Sequence, residues 1–225
     1  MSRTPRPQKT SRSEHWLRVL VNERPELLDA QLRRSFGWPQ GEQITWVSPL
    51  ANDEYAEYRD AQALEKLAVT PRAPLAEFWP TRGPRWDALG RTSAGRALLI
   101  EAKAYIEEIV SPASGAGEES LSLIRQSLRE VKDFLHITPE HDWSALFYQY
   151  TNRLAHLYYL RQRNDIDAYL VFIYFVGAPD VTEPSTASEW QAALRLLKTV
   201  LGTSRHTLTP YIADVFIDVS ELQKT

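Results

Sequence analysis

Asp87, Glu101 and Lys103 are the residues whose types and spacing point to chemistry. Glu101 and Lys103 lie two apart in the run Leu98-Leu-Ile-Glu-Ala-Lys103. Side chains alternate along a strand, so both project from one face, next to each other. Asp87 closes the segment Gly83-Pro-Arg-Trp-Asp87 on the preceding strand of the same hairpin, and the loop between is short enough to bring it beside Glu101. Two carboxylates and one ammonium thus converge at one place on a sheet. The lead-in Leu98-Leu-Ile100 makes that setting apolar, where charge is costly unless it is paired or bound to a metal. The chain has no cysteine, so a metal here must have oxygen ligands, which Asp87 and Glu101 provide.

The surrounding elements follow from patterning. Ser13 to Arg24 reads as a first helix with Ser13 as N-cap. Pro25 to Phe36 reads as a second, stopped by Gly37. Gln43 to Val47 fits a short strand, and Asn52 or Asp53 caps a helix running to about Leu67. Thr70-Pro-Arg-Ala-Pro74 joins this helical lead-in (residues 13–70) to the sheet core of the same domain (71–225). A three-strand meander is expected from Leu75 to Trp79, Arg85 to Leu89 and Ala97 to Tyr105, with residues 90–95 as a hairpin loop. Helices over Glu118–Leu135 and Ser144–Arg163 follow, then a buried strand from Ala168 to Val176, a helix near Ala187–Leu201 and a closing strand from Tyr211 to Val219. The order gives an α/β fold with a mixed central sheet.

Composition bounds the rest. The 225 residues carry 26 Lys and Arg against 29 Asp and Glu, a net charge of −3. That excludes a heavily cationic nucleic-acid coat but not a local basic groove. Without cysteine there are no disulfides, thiolate zinc sites or cysteine nucleophiles. The longest apolar run, Ala168 to Ala178, is far short of the ~20 residues of a membrane helix. The expectation is a cytoplasmic protein with no membrane partner. Arg3, Arg6, Lys9 and Arg12 make residues 1–12 a basic, disordered arm rather than an export signal.

On Asp87, the Glu101-Ala102-Lys103 element and the order of strands and helices around them, the sequence resembles the PD-(D/E)xK, restriction-endonuclease-like nuclease superfamily. The resemblance covers roughly Leu75 to Val176. Pro84 stands three residues before Asp87, so the Pro-Asp pair itself is absent. Phe78-Trp-Pro80, Glu-Ala-Lys and Tyr148-Gln-Tyr-Thr-Asn-Arg-Leu154 are also similar to segments of bacterial proteins. The resemblance implies an αβββαβ core flanked by helices, with extra N-terminal helices. It also implies metal-assisted hydrolysis of a nucleic acid, DNA in the first instance. Asp87 and Glu101, with the Ala102 carbonyl, would hold Mg²⁺ or Mn²⁺, and Lys103 would orient water and stabilise developing charge. Gln149 is expected to join the catalytic set from a later helix. The alternatives are a non-catalytic nucleic-acid-binding or assembly module that keeps the fold, and a metal-dependent hydrolase of another phosphate substrate.

Further candidates surround this set. Glu57, in preference to Glu54, is a third metal carboxylate, and Glu77 is another. Arg82, Arg85 and Arg91, with Arg153 from the helix of Gln149, are the expected nucleic-acid contacts. Trp86 is expected in the core, while Trp79 could pack there or stack on a base. The five histidines show no ligand spacing on one helix, which favours surface or capping roles. Ser114-Gly-Ala-Gly117 lacks the Lys-Ser/Thr of a phosphate loop and reads as an ordinary loop. The apolar closing strand and helices permit a homodimer.

Overall fold

The Asp87, Glu101 and Lys103 segments belong to the second and third strands of a five-stranded mixed sheet ordered β1-β2-β3-β4-β5. The computed structural model describes residues 12–138 and 141–223; the basic arm, apart from Arg12, lies outside them. The strands are Ile44–Ser48 (β1), Ala88–Thr92 (β2), Ala97–Lys103 (β3), Ala168–Val176 (β4) and Ile212–Asp218 (β5). β2 runs antiparallel to both neighbours, and β3, β4 and β5 are mutually parallel. The helices are Arg12–Asn22 (α1), Pro25–Phe36 (α2), Asp60–Lys66 (α3), Glu118–Phe134 (α4), Tyr148–Tyr158 (α5), Ala187–Leu201 (α6) and Val219–Leu222 (α7). No described helix is long and apolar enough to cross a membrane.

Alternation along the strands divides the core in two. Ala97 and Leu99 of β3, with Leu170, Phe172 and Tyr174 of β4, face α4, α5 and α6. Leu98, Ile100 and Ala102, with Val171, Ile173 and Phe175, face α1, α2 and α7. β4 is apolar throughout because both of its faces are covered. The result is three layers, with Glu101 and Lys103 on the α5 side by parity.

Local signals explain the elements that match expectation. α2 starts on Pro25 and ends on Gly37, whose φ of 65° is the left-handed cap that glycine tolerates. α6 opens on a capping box between Thr186 and Glu189.

Several expectations are corrected. Ser13 lies inside α1, not at its cap, and its hydroxyl points to Glu108 Oε1 at 3.5 Å. The helix expected from Asn52 is a 3₁₀ turn at Ala51–Asp53 followed by non-helical chain, and α3 begins only at Asp60. Glu54 and Tyr55 sit at φ 52° and 55°, which ends the turn. Tyr58 then bridges to Trp86, which a helix there would prevent. Leu75–Trp79 is no strand: Leu75–Glu77 is a 3₁₀ turn. The adjacent Phe78 and Trp79 are both buried in the same core, whereas a strand would point them to opposite faces. β1 takes the place of that first meander strand, so a segment of the expected lead-in belongs to the sheet. β2 is shifted from residues 85–89 to 88–92, and Gly90 lies within it instead of in a loop. A Cβ at Gly90 would come 3.1 Å from the Trp46 ring and 3.3 Å from Leu98, so the glycine admits that ring across the strand. Finally, the helix expected over 144–163 is α5 followed by a π-helical turn at Tyr159–Arg163.

Candidate active site

β2 and β3 pair with Ala88 opposite Ile100, and the Asp87 N–H donates to the Ile100 carbonyl at 3.2 Å. Asp87 therefore sits opposite Glu101. It shares the parity of Leu89, so its carboxylate lies on the α5 face together with Glu101 and Lys103. Asp87 Oδ2 accepts the Ala102 N–H at 2.8 Å. All three side chains line an open cleft of about 470 Å³.

The cleft is walled by parts distant in sequence. The Trp86 N–H donates to the Tyr58 carbonyl at 3.0 Å, fixing the strap that carries Glu57 and Arg59 against the β2 entrance. α5 presents Gln149, Asn152 and Arg153. Its start is anchored by Ser111, whose hydroxyl accepts the Gln149 N–H at 2.8 Å. Ser13 and Glu14 of α1 complete the rim.

Glu101 is 3% exposed and compensated at both oxygens. Arg153, 4% exposed, donates to Oε2 from Nε at 2.7 Å and from Nη2 at 2.5 Å. Lys103 Nζ donates to Oε1. The guanidinium also donates from Nη1 to Asn152 Oδ1 and from Nη2 to the Arg85 carbonyl, each at 2.9 Å. The Trp86 ring lies 4.9 Å from the guanidinium carbon.

Charge states follow from this wiring. Burial pushes Asp87 up to about 8, reinforced by the facing Glu101 and by Glu57, against the pull of Lys103 and the Ala102 N–H. Burial acts the same way on Glu101, but Arg153 and Lys103 outweigh it and hold that carboxyl below its ordinary range. For Lys103, burial favours the neutral amine, yet Glu101 and Asp87 raise its pKa and keep it charged. The two carboxyls facing each other across paired strands are thus shifted in opposite directions.

Among the expected site residues, Asp87, Glu101, Lys103, Gln149 and Glu57 share this cleft, and Arg85 lines it. Glu54 and Glu77 are exposed and outside it. Arg153, expected as a nucleic-acid contact, also borders the cleft, but its guanidinium is buried on Glu101. Arg82 is exposed, with its backbone N–H tied to Asp60 Oδ2 at 2.9 Å. Arg91 lines a separate groove with Tyr58, Lys66 and Trp46. Trp79 and Trp86 both belong to the core.

Two residues escaped the sequence reading. Glu108 lines the cleft, accepting the Ala104 N–H at 2.6 Å and the Tyr105 N–H at 3.3 Å. Burial raises its pKa. Its position three residues after Tyr105, as the acid of a capping box, was the available signal. His156 is buried rather than superficial, with Nδ1 2.8 Å from the Asn152 carbonyl and Nε2 unpartnered. Burial, helped by Arg153, pushes it down to about 3.

The donor set fits a hard divalent cation. Asp87 and Glu101 supply carboxylate oxygens, and Asp87 Oδ1 has no hydrogen bond among the described residues. One or two carboxylates, completed by water and substrate phosphate, are a usual provision for Mg²⁺. No group of three His, Cys, Asp or Glu among the described residues forms a ready cage. No protein-family model matches this chain, and neither does any curated protein or solved structure, so the meaning of this cleft rests on its own geometry.

Proposed function

We propose that this cleft hydrolyses phosphodiester bonds of nucleic acid, DNA first among them, with Mg²⁺ or Mn²⁺, on a restriction-endonuclease-like core. The observation that carries the reading is the convergence of Asp87, Glu101 and Lys103 on one sheet face, at the open end of two paired strands. The order of α1 and α2, then β1, β2 and β3 with α3 inserted between β1 and β2, then α4 and α5, then β4 supports an αβββαβ core that carries one extra helix.

Asp87 and Glu101, with the Ala102 carbonyl, would hold the cation. Bound there, it would supply Lewis-acid stabilisation of phosphate charge and a more acidic water. Lys103 stands next to both carboxylates with donors to offer a phosphate oxygen or a water. Gln149 presents an amide to the same cleft. Arg59 and Arg85 provide positive charge for a phosphate backbone, and Glu57 adds a carboxylate beside Asp87.

The full chain is to be incubated with linear, nicked, branched and single-stranded DNA and either metal, beside Asp87→Ala and Lys103→Ala. Cleavage by the wild type that both substitutions abolish supports the reading; equal activity in all three proteins refutes it. The ion pairs at both oxygens of Glu101 favour a second reading, a non-catalytic module in which the charges brace the fold. In that case DNA binds without metal dependence and is never cut.

A further inference from the structure

The oxygens of the two central carboxylates are not equally available. Arg153 engages Glu101 Oε2 through Nε and Nη2, while its own donors also hold Asn152 Oδ1 and the Arg85 carbonyl. Its side chain is 5% exposed and packs on Trp86. Moving this guanidinium would strand a buried charge and several buried acceptors at once. Lys103 is built differently. Its ammonium contacts Glu101 Oε1 and has no other hydrogen bond among the described residues. It borders the cleft and ends a flexible four-carbon stem whose donors turn readily to another acceptor.

We propose that Lys103 is a tethered cation competing with the divalent metal for Glu101 Oε1, while Arg153 is the positioning residue that keeps Oε2 fixed throughout. The inference rests on the metal-dependent reading above. In the resting site the ammonium stands at the oxygen a metal would take. Metal entry requires Lys103 to leave, and a phosphate arriving in the cleft is the acceptor that draws it away. Metal and phosphodiester therefore bind with positive coupling, and by linkage each raises the affinity of the other equally.

The test is Mn²⁺ binding to the full-length protein without nucleic acid, read as loss of the free-ion electron paramagnetic resonance signal. Lys103→Met removes the competitor and is expected to bind Mn²⁺ at least about tenfold more tightly than wild type, since a charge-assisted hydrogen bond to Oε1 no longer has to be broken. Lys103→Gln, which keeps polarity in the cleft, is expected to do the same and serves if the methionine variant does not fold. In a Glu101→Gln background the gain from Lys103→Met is expected to shrink severalfold, because the contested oxygen no longer carries charge and only the lost repulsion remains. Equal affinity in wild type and both Lys103 variants overturns the inference, as does an undiminished gain with Glu101→Gln. Wild-type Mn²⁺ binding that Asp87→Asn weakens but Lys103→Met leaves unchanged overturns the competition while sparing the metal-dependent reading. Absence of Mn²⁺ binding in every variant overturns both.

Discussion

Arg153 aims its guanidinium nitrogens at the protein itself, so its removal leaves Glu101 buried beside one ammonium instead of two cations. Arg153→Ala is expected to destabilise the chain by about 3–5 kcal/mol, the cost of breaking a buried pair from one side; urea unfolding at neutral pH measures it. His156, one turn along α5, gives a pH signature. Its folded pKa of about 3 lies below the 6.5 of an exposed imidazole, so the unfolded chain binds the extra proton between those values. Its contribution is fully present above about pH 6.5 and is lost as pH falls toward 3, by roughly 1.4 kcal/mol per pH unit inside that window. The groups around it are the Arg153 charge, the Asn152 carbonyl, and the Trp79 and Trp86 rings. Urea midpoints at pH 7, 5.5 and 4.5 are expected to fall more steeply for wild type than for His156→Gln; parallel slopes would contradict the assignment.

At the scale of elements, the sheet is held in register around close approaches that composition disguises. Gly90→Ala is expected to cost about 1–3 kcal/mol, as overpacking against the Trp46 ring, which differential scanning calorimetry would register as a lower melting temperature. This position also shows how far the sequence can be read. Gly90-Arg-Thr-Ser-Ala-Gly95 has hairpin-loop composition, yet the chain continues as strand through Thr92 because a tryptophan from β1 needs the absent Cβ. β3 was legible because local pattern and tertiary demand agree, Leu98-Leu-Ile-Glu-Ala-Lys being charged only at the two positions that face the cleft, whereas β2 lies three residues later than expected. β4 and α6 were legible through to their ends for the same reason. Phe78-Trp79 was misread because two neighbouring aromatics enter one core through a turn, a tertiary choice without local periodicity. The burial of Arg153 and His156 was not legible for a related reason. Helical spacing puts Arg153 on the face of Gln149, but only the packing of α5 on β3 decides that it serves Glu101 rather than solvent.

Across the whole molecule, the net charge of −3 is resolved into a cleft where acids and bases interleave. Arg59, Arg85 and Lys103 are the cleft cations within reach of a phosphate backbone, since Arg153 is committed to Glu101 and Arg91 faces another groove. Binding to DNA is expected to be weak and modestly salt-dependent, with log K falling against log salt by about 2–3, near 0.9 per phosphate contacted. Fluorescence anisotropy with Ca²⁺ in place of Mg²⁺ measures this; a slope several times steeper would demand a basic surface beyond the cleft. We propose, then, that the β2–β3 cleft breaks phosphodiester bonds with metal help. The most direct measurement is single-turnover cleavage of end-labelled single- and double-stranded DNA in Mn²⁺ and in chelator, by wild type and Asp87→Asn. Cutting is expected only with metal, with a loss of at least about a hundredfold in the variant. Cutting that survives the chelator, or equal rates in the two proteins, would contradict it.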